Sequence, residues 1–131
     1  MRKGQPVADS HTLEVLDYPT ILRMLSERAS TPLGREEALS IEPLTDLEDI
    51  ERLLDETSEA REFLAGRGHP PFTGVEDIRP VLERASLEGT LEPEELLSVA
   101  STVEAAEEVK RALLKASREF PLLAEHAKRM P

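Results

Sequence analysis

Residues 45–66 of this 131-residue chain are TDLEDIERLLDETSEAREFLAG, a stretch that predicts one long amphipathic helix. Its less polar positions alternate spacings of three and four, which is typical of a helix packed lengthwise on another: Ile50, Leu53, Thr57, Ala60 and Leu64. Thr45 and Glu48 have the spacing of a capping box. Gly66 is positioned as a left-handed stop. We therefore predict a helix over about residues 46–65.

The remaining faces of this helix are strongly acidic. Two bases, Arg52 and Arg61, stand among eight acids, which gives a local charge of −6: Asp46, Glu48, Asp49, Glu51, Asp55, Glu56, Glu59 and Glu62. A hydrolytic or Mg²⁺ site would need such carboxylates to converge in a cleft. A charge run on a surface helix is usually a solvated face instead. We expect no catalysis here, and a nuclease using Asp55, Glu59 and Glu62 stays a minor alternative.

A second long helix is predicted from Pro93 to about residue 117. Its buried stripe is expected to contain Leu96, Val99, Val103, Ala106 and Leu113. Shorter helices are expected near residues 10–18, 19–29, 32–39, 77–85 and 122–130, several of them opened by proline. The fold class is thus all-α, an irregular bundle of six to seven helices over residues 10–131. Residues 1–9 are expected to be a flexible N-terminus.

Composition excludes several function classes. The chain has 16 Lys+Arg against 27 Asp+Glu, and the resulting charge of −11 disfavours nucleic acid as a partner of the whole chain. No cysteine is present, so we expect neither a disulfide framework nor a thiolate site. None of the three histidines has a second ligand at metal spacing. With no membrane span and no signal-peptide core, we expect a cytoplasmic protein that does not enter membranes.

Positive charge is concentrated near the end of the chain. Six bases against two acids give residues 110–131 a local charge of +4. Four of these bases are candidates for phosphate contacts: Lys110, Arg111, Lys115 and Arg118. We favour a different role, in which they complement helix C-termini and the acidic helix of the same chain.

A family resemblance rests on short colinear segments. The longest is residues 30–44, STPLGREEALSIEPL, which includes Gly34 and Arg35. Residues 13–18, 56–60, 70–72, 77–82 and 91–97 match in the same order and spacing. Together they resemble the N-terminal core and lever region of the bacterial MutS paralogue family that lacks the mismatch-recognition domain.

The resemblance implies a much longer parent protein. Such a parent is a homodimer with a DNA-clamping arm, an ATPase that uses ATP and Mg²⁺, and a C-terminal Smr endonuclease domain. It acts on DNA or the ribosome, in suppression of recombination, in repair or in rescue of stalled ribosomes. None of the catalytic motifs is present in this sequence, so we expect a non-catalytic front part without a cofactor of its own.

Structural roles follow for the candidate residues. Gly34, next to Arg35, is expected to allow close helix packing, with a place in the frayed first turn of its helix as the alternative. Thr45 with Glu48 is expected to cap the acidic helix. The seams Ile50–Leu64 and Leu96–Leu113 are expected to pack on each other or on a second copy. The alternative is an autonomous acidic adaptor that binds a basic protein or a ribosomal partner.

Overall fold

The computed structural model describes residues 8–130, and over these residues it contains helices and no strand. The helices are α1 Ser10–Val15, α2 Tyr18–Ser26, α3 Pro32–Leu39, α4 Leu47–Arg67, α5 Arg79–Ser86, α6 Pro93–Lys115 and α7 Pro121–Arg129. The all-α prediction is confirmed. Most of the predicted flexible segment 1–9 lies outside the described residues. The chain divides into two compact units, Met1–Arg52 and Leu53–Pro131.

Proline opens most of these helices, as the sequence predicts. A proline occupies one of the first two positions of α2, α3, α5, α6 and α7. Its missing N–H causes no loss there, because the first N–H groups of a helix have no partner within the helix. Proline therefore fixes where these helices begin.

Aspartate side chains cap the first and the fourth helix. Asp9 caps α1 by accepting a hydrogen bond from the Thr12 N–H at 2.7 Å. This bond holds the pKa of the Asp9 carboxyl below its usual value. α4 begins at Leu47, and the Asp46 carboxylate accepts from the third helical N–H at 3.1 Å. The predicted Thr45 cap is therefore wrong, because the neighbouring aspartate provides a better-placed acceptor.

The predicted stop of the acidic helix is also displaced. α4 continues through Gly66 to Arg67, and Gly68 has the left-handed backbone, with a φ of 79°. The Gly68 N–H donates to the Leu64 carbonyl at 3.1 Å and closes the last turn. Either glycine allows the left-handed conformation, so composition alone does not select between them.

In the first unit, α2 packs against both α1 and α3. Gly34 lies in the first turn of α3, and its N–H donates to the Thr31 hydroxyl at 3.0 Å. A Cβ at Gly34 would lie only 2.9 Å from that hydroxyl oxygen. Arg35 donates from Nε to the Ala29 carbonyl at 3.2 Å. The close approach at Gly34 is thus to its own cap residue, whereas the sequence prediction placed another helix there.

In the second unit, hydroxyl groups of α6 hold the loop that precedes α5. Ser101 and Thr102 each donate to the Gly74 carbonyl, and the Ser98 hydroxyl bonds to the Glu76 carboxylate. Gly74 has a φ of 89°, and a Cβ there would approach the Ser101 hydroxyl oxygen to 2.5 Å. Only glycine fits this position. No helix among residues 8–130 combines the length and the apolar character that crossing a bilayer requires.

Candidate functional site: the helix faces of the second unit

The inward face of α4 differs from the predicted seam. The core contains Phe63, 4% exposed, while Ala60 and the carboxylates of Glu56 and Glu59 are half-buried. These four positions are spaced three, one and three residues apart and define one helical stripe. The predicted stripe was wrong in register: it included Leu64, which is 39% exposed, and omitted Phe63.

Phe63 organises a small aromatic core. Its ring meets the Phe120 ring edge to face, with centroids 5.6 Å apart and an interplanar angle of 74°. Ala116 completes the buried cluster, and Ala112, Leu113 and Leu123 pack against it. Aromatic pairs of this geometry contribute about 0.5–1.5 kcal/mol beyond area burial. The core of this unit therefore forms where α4 meets the turn between α6 and α7.

Glu59 caps a helix that is distant in sequence. Its Oε2 accepts hydrogen bonds from the backbone N–H groups of Leu122 at 2.9 Å and Leu123 at 3.0 Å. These groups lie in the first turn of α7, where no partner exists within the helix. A carboxylate there also meets the positive end of the helix dipole. Glu59, one of the acids assigned from sequence to a solvated face, thus has a structural role.

Two further polar side-chain contacts flank the aromatic core. His126 Nε2 lies 3.1 Å from Glu56 Oε2, and Arg67 donates to Glu119 at 2.5 Å. Both partners of the second pair are well exposed, so solvent screens that pair strongly. Together with the Glu59 cap, these contacts bind one face of α4 to α7 and to the turn before it.

The predicted apolar seams of α4 and α6 do not pack on each other. Among the described residues, α7 rather than α4 is the helix that packs along α6. The buried positions of α6 are Ala105 and Val109, not the larger residues of the predicted stripe. Four predicted seam residues are 39–55% exposed: Leu53, Leu64, Leu96 and Val103. Ile50 is half-buried, and Leu113 lies beside the aromatic core.

The basic residues near the end of α6 divide into two groups. Lys110 donates from Nζ to the Met130 carbonyl at 2.9 Å, where it neutralises the C-terminal end of α7. Arg111, Lys115 and Arg118 are exposed. The predicted complement to a helix C-terminus is therefore observed for Lys110, and the other three cations face solvent.

The described residues contain no preformed metal-binding site. Among residues 8–130, no group of three or more His, Asp or Glu side chains is close enough to hold an ion. Asp77, the clearest perturbed acid of the second unit, bonds to Arg79, and this contact lowers the pKa of its carboxyl. Asp77 lies just before α5 and Arg79 is the first residue of that helix, so the contact serves local structure.

The contacts that the sequence did not predict join residues far apart in the chain. Glu56, Glu59 and His126 take their roles from a helix pairing that spans 63 to 70 residues of chain. Phe63 was detectable as the largest apolar residue of its helix, although it did not fit a strict alternation of three and four. The size of its side chain indicates burial better than the spacing does, because aromatic residues dominate core energetics.

Similar proteins are known for most of the chain. No family model matches it. It is 45% identical over 101 residues to "Endonuclease MutS2" of Geobacillus kaustophilus, a match that covers 77% of this chain and 13% of that protein. Proteins with the same name from Geobacillus sp. strain WCH70 and Bacillus velezensis are 36% and 34% identical, over 92% and 90% of the chain.

The matched region is short relative to these proteins. The chain spans 13–16% of the length of the three curated relatives. Identity of 34–45% over most of the chain exceeds what a shared helical composition produces. It also agrees with the colinear segments that the sequence presents. The chain therefore belongs to the MutS2 family and corresponds to one region of its members.

Proposed function

We propose that this chain is a non-catalytic helical module of a MutS2-type endonuclease and that it associates with a second copy of itself. The observation that carries the proposal is the exposure of apolar side chains on α4 and α6. Leu53, Leu96 and Val103 are each about half exposed, whereas the largest core residues of the unit are two phenylalanines. Apolar faces of this kind mark interaction surfaces in soluble proteins.

Charge favours a second copy as the occupant. α4 contains seven acids and three bases, a local charge of −4, while Arg111, Lys115 and Arg118 are exposed near the end of α6. A two-fold axis would place α4 of each copy against α6 of the other. The acidic residues of α4 in each copy would then lie against the exposed cations near the end of α6 in the other copy. The exposed apolar side chains of both helices would lie between them.

The catalytic work is assigned elsewhere. The relatives are named endonucleases, and the chain corresponds to at most 16% of their length. We assign the nuclease reaction, together with the ATP, Mg²⁺ and DNA-clamping functions implied by the resemblance, to other regions of the parent. The parent protein is then expected to act in the cytoplasm, in suppression of recombination, in DNA repair or in the rescue of stalled ribosomes. The autonomous acidic adaptor is less favoured, because it does not account for relatives several times longer.

Self-association is tested by sedimentation velocity on the purified chain and two double variants. We expect the natural chain to dimerise at micromolar concentration, and Leu96→Asp/Val103→Asp to remain monomeric. Leu82→Asp/Leu87→Asp is the matched control, because Leu82 on α5 and Leu87 directly after it are both exposed. That control should dimerise normally. A natural chain that stays monomeric at millimolar concentration, or equal loss in both variants, would refute association through these faces.

The non-catalytic assignment has its own assay. Supercoiled plasmid incubated with the chain and Mg²⁺ or Mn²⁺ should remain intact, and duplex DNA should bind weakly at physiological salt. Nicking that disappears when Asp55, Glu59 and Glu62 are changed to alanine would locate a nuclease on α4 and refute the assignment. Sub-micromolar duplex affinity would show that the basic end of α6 contacts phosphates.

A further inference from the structure

The first unit contains an apolar groove that the proposed association does not use. The groove has a volume of about 470 Å³ and lies between α1, α2 and the extended segment after α3. Its apolar lining is Leu13, Pro19, Leu22, Leu39, Ile41 and Pro43. Leu39 and Ile41 are 50% and 43% exposed.

One hydrogen bond fixes the wall of the groove. The Tyr18 hydroxyl donates to the Ile41 carbonyl at 3.0 Å and ties the extended segment to α2. This wall is therefore preformed, and an incoming chain does not need to order it. Preformed apolar pockets bind with a smaller entropic cost than surfaces that order on contact.

The rim of the groove is acidic. Glu14 and Glu42 line it, and both are exposed. Residues 8–52 contain eleven acidic and four basic residues, a charge of −7. Negative potential over an apolar floor selects a partner that combines apolar anchors with positive charge.

We propose that this groove binds a basic amphipathic helix of a partner protein. Apolar residues at helical spacing would enter the floor, as in other helix-in-groove complexes, while lysine or arginine would lie beside Glu14 and Glu42. A second copy of this unit is disfavoured, because it would bring two bodies of charge −7 together. The inference is independent of the association through α4 and α6.

Two synthetic helical peptides of about 14 residues, or roughly four turns, provide the probe. They share one leucine stripe and differ only in a polar face of lysine or of glutamate. Fluorescence anisotropy with the full 131-residue chain should show binding of the lysine peptide. The glutamate peptide should bind at least about tenfold more weakly. Equal binding of both peptides would overturn the proposal.

Charge reversal locates the site. Glu14→Lys/Glu42→Lys should weaken lysine-peptide binding by about tenfold. Glu27→Lys/Glu37→Lys makes the same charge change on exposed residues of this unit that do not line the groove, and should leave affinity within about twofold. Equal losses in both variants would indicate unspecific attraction to an acidic surface, and would overturn the assignment.

The apolar floor needs a separate variant. Leu39→Gln removes a half-exposed anchor, should retain the helical circular dichroism of the chain, and should abolish measurable peptide binding. If affinity is unchanged, the groove is not the site. If Leu39→Gln instead abolishes dimerisation in sedimentation while neither peptide binds the natural chain, the occupant is a second copy and the proposal is wrong.

Discussion

Replacing Glu59 with alanine tests the contact by which α4 caps the start of α7. The carboxylate satisfies two N–H groups in the first turn of α7, at 2.9 and 3.0 Å, from a half-buried position on α4. Loss of an N-cap side chain costs about 0.5–2 kcal/mol. Loss of a negative charge near the positive end of the helix adds about 0.3–1 kcal/mol.

The expected loss for Glu59→Ala is therefore about 2 kcal/mol of the free energy of unfolding. For a chain of this size the melting temperature should fall by about 8 °C. Glu59→Gln keeps an acceptor oxygen but removes the charge, so its loss should be about 1 kcal/mol. Urea and thermal unfolding followed by circular dichroism measure both values.

A local measurement separates capping from a general effect of charge. Hydrogen exchange at the Leu122 and Leu123 amides should accelerate strongly in Glu59→Ala. Glu62→Ala removes an exposed carboxylate from the same helix and should change stability by less than about 0.5 kcal/mol. If the two alanine variants have equal stability and equal exchange at these amides, the capping argument is refuted.

Other predictions concern single contacts. Phe63→Ala should lose about 3–4 kcal/mol in urea unfolding because it leaves a cavity in the aromatic core, whereas Phe72→Ala, at a 38% exposed position, should lose under about 1 kcal/mol. Gly74→Ala should lose more than about 1 kcal/mol, since the backbone is left-handed and a hydroxyl of α6 blocks the new methyl group. Gly66→Ala, with open space around the added Cβ inside α4, should instead be neutral or stabilising in the same assay. The pKa of Asp9 is lowered in the folded chain from 3.8, so its cap contributes fully above that pH and is lost as the pH falls through the folded value. The protection factors of the α1 amides, which are taken relative to the intrinsic exchange rate at each pH, should therefore fall in acid. Asp9→Asn should remove this pH dependence, and a fall that persists without Asp9 would contradict it.

Local chemistry was sufficient to predict the helices. Prolines and spacing of apolar residues located Pro32–Leu39, and they located the start of α6 at Pro93. The displaced boundaries share one cause. Where two adjacent residues can serve as a cap or as a stop, the choice depends on backbone geometry that composition does not contain. Asp46 and Gly68 are such cases.

Packing was harder to predict than helix location. A repeat of three and four residues in α4 is compatible with two neighbouring stripes, one ending at Phe63 and the other at Leu64. Only the position of Phe120, far along the chain, determines which stripe is buried. Sequence periodicity therefore identified an amphipathic helix but not the direction in which it faces.

The acidic helix acquires a more specific role from these contacts. Its net charge first suggested a uniformly solvated face, yet Glu56 and Glu59 lie on the packed side and bind α7. Leu53, Leu64 and Leu96, which were predicted to lie inside, are instead 39–55% exposed on α4 and α6. A helix that uses carboxylates for internal contacts and presents leucines outward is suited to join larger assemblies. This inversion favours an interaction module over an enzyme fragment, and it is the physical basis of the proposed association.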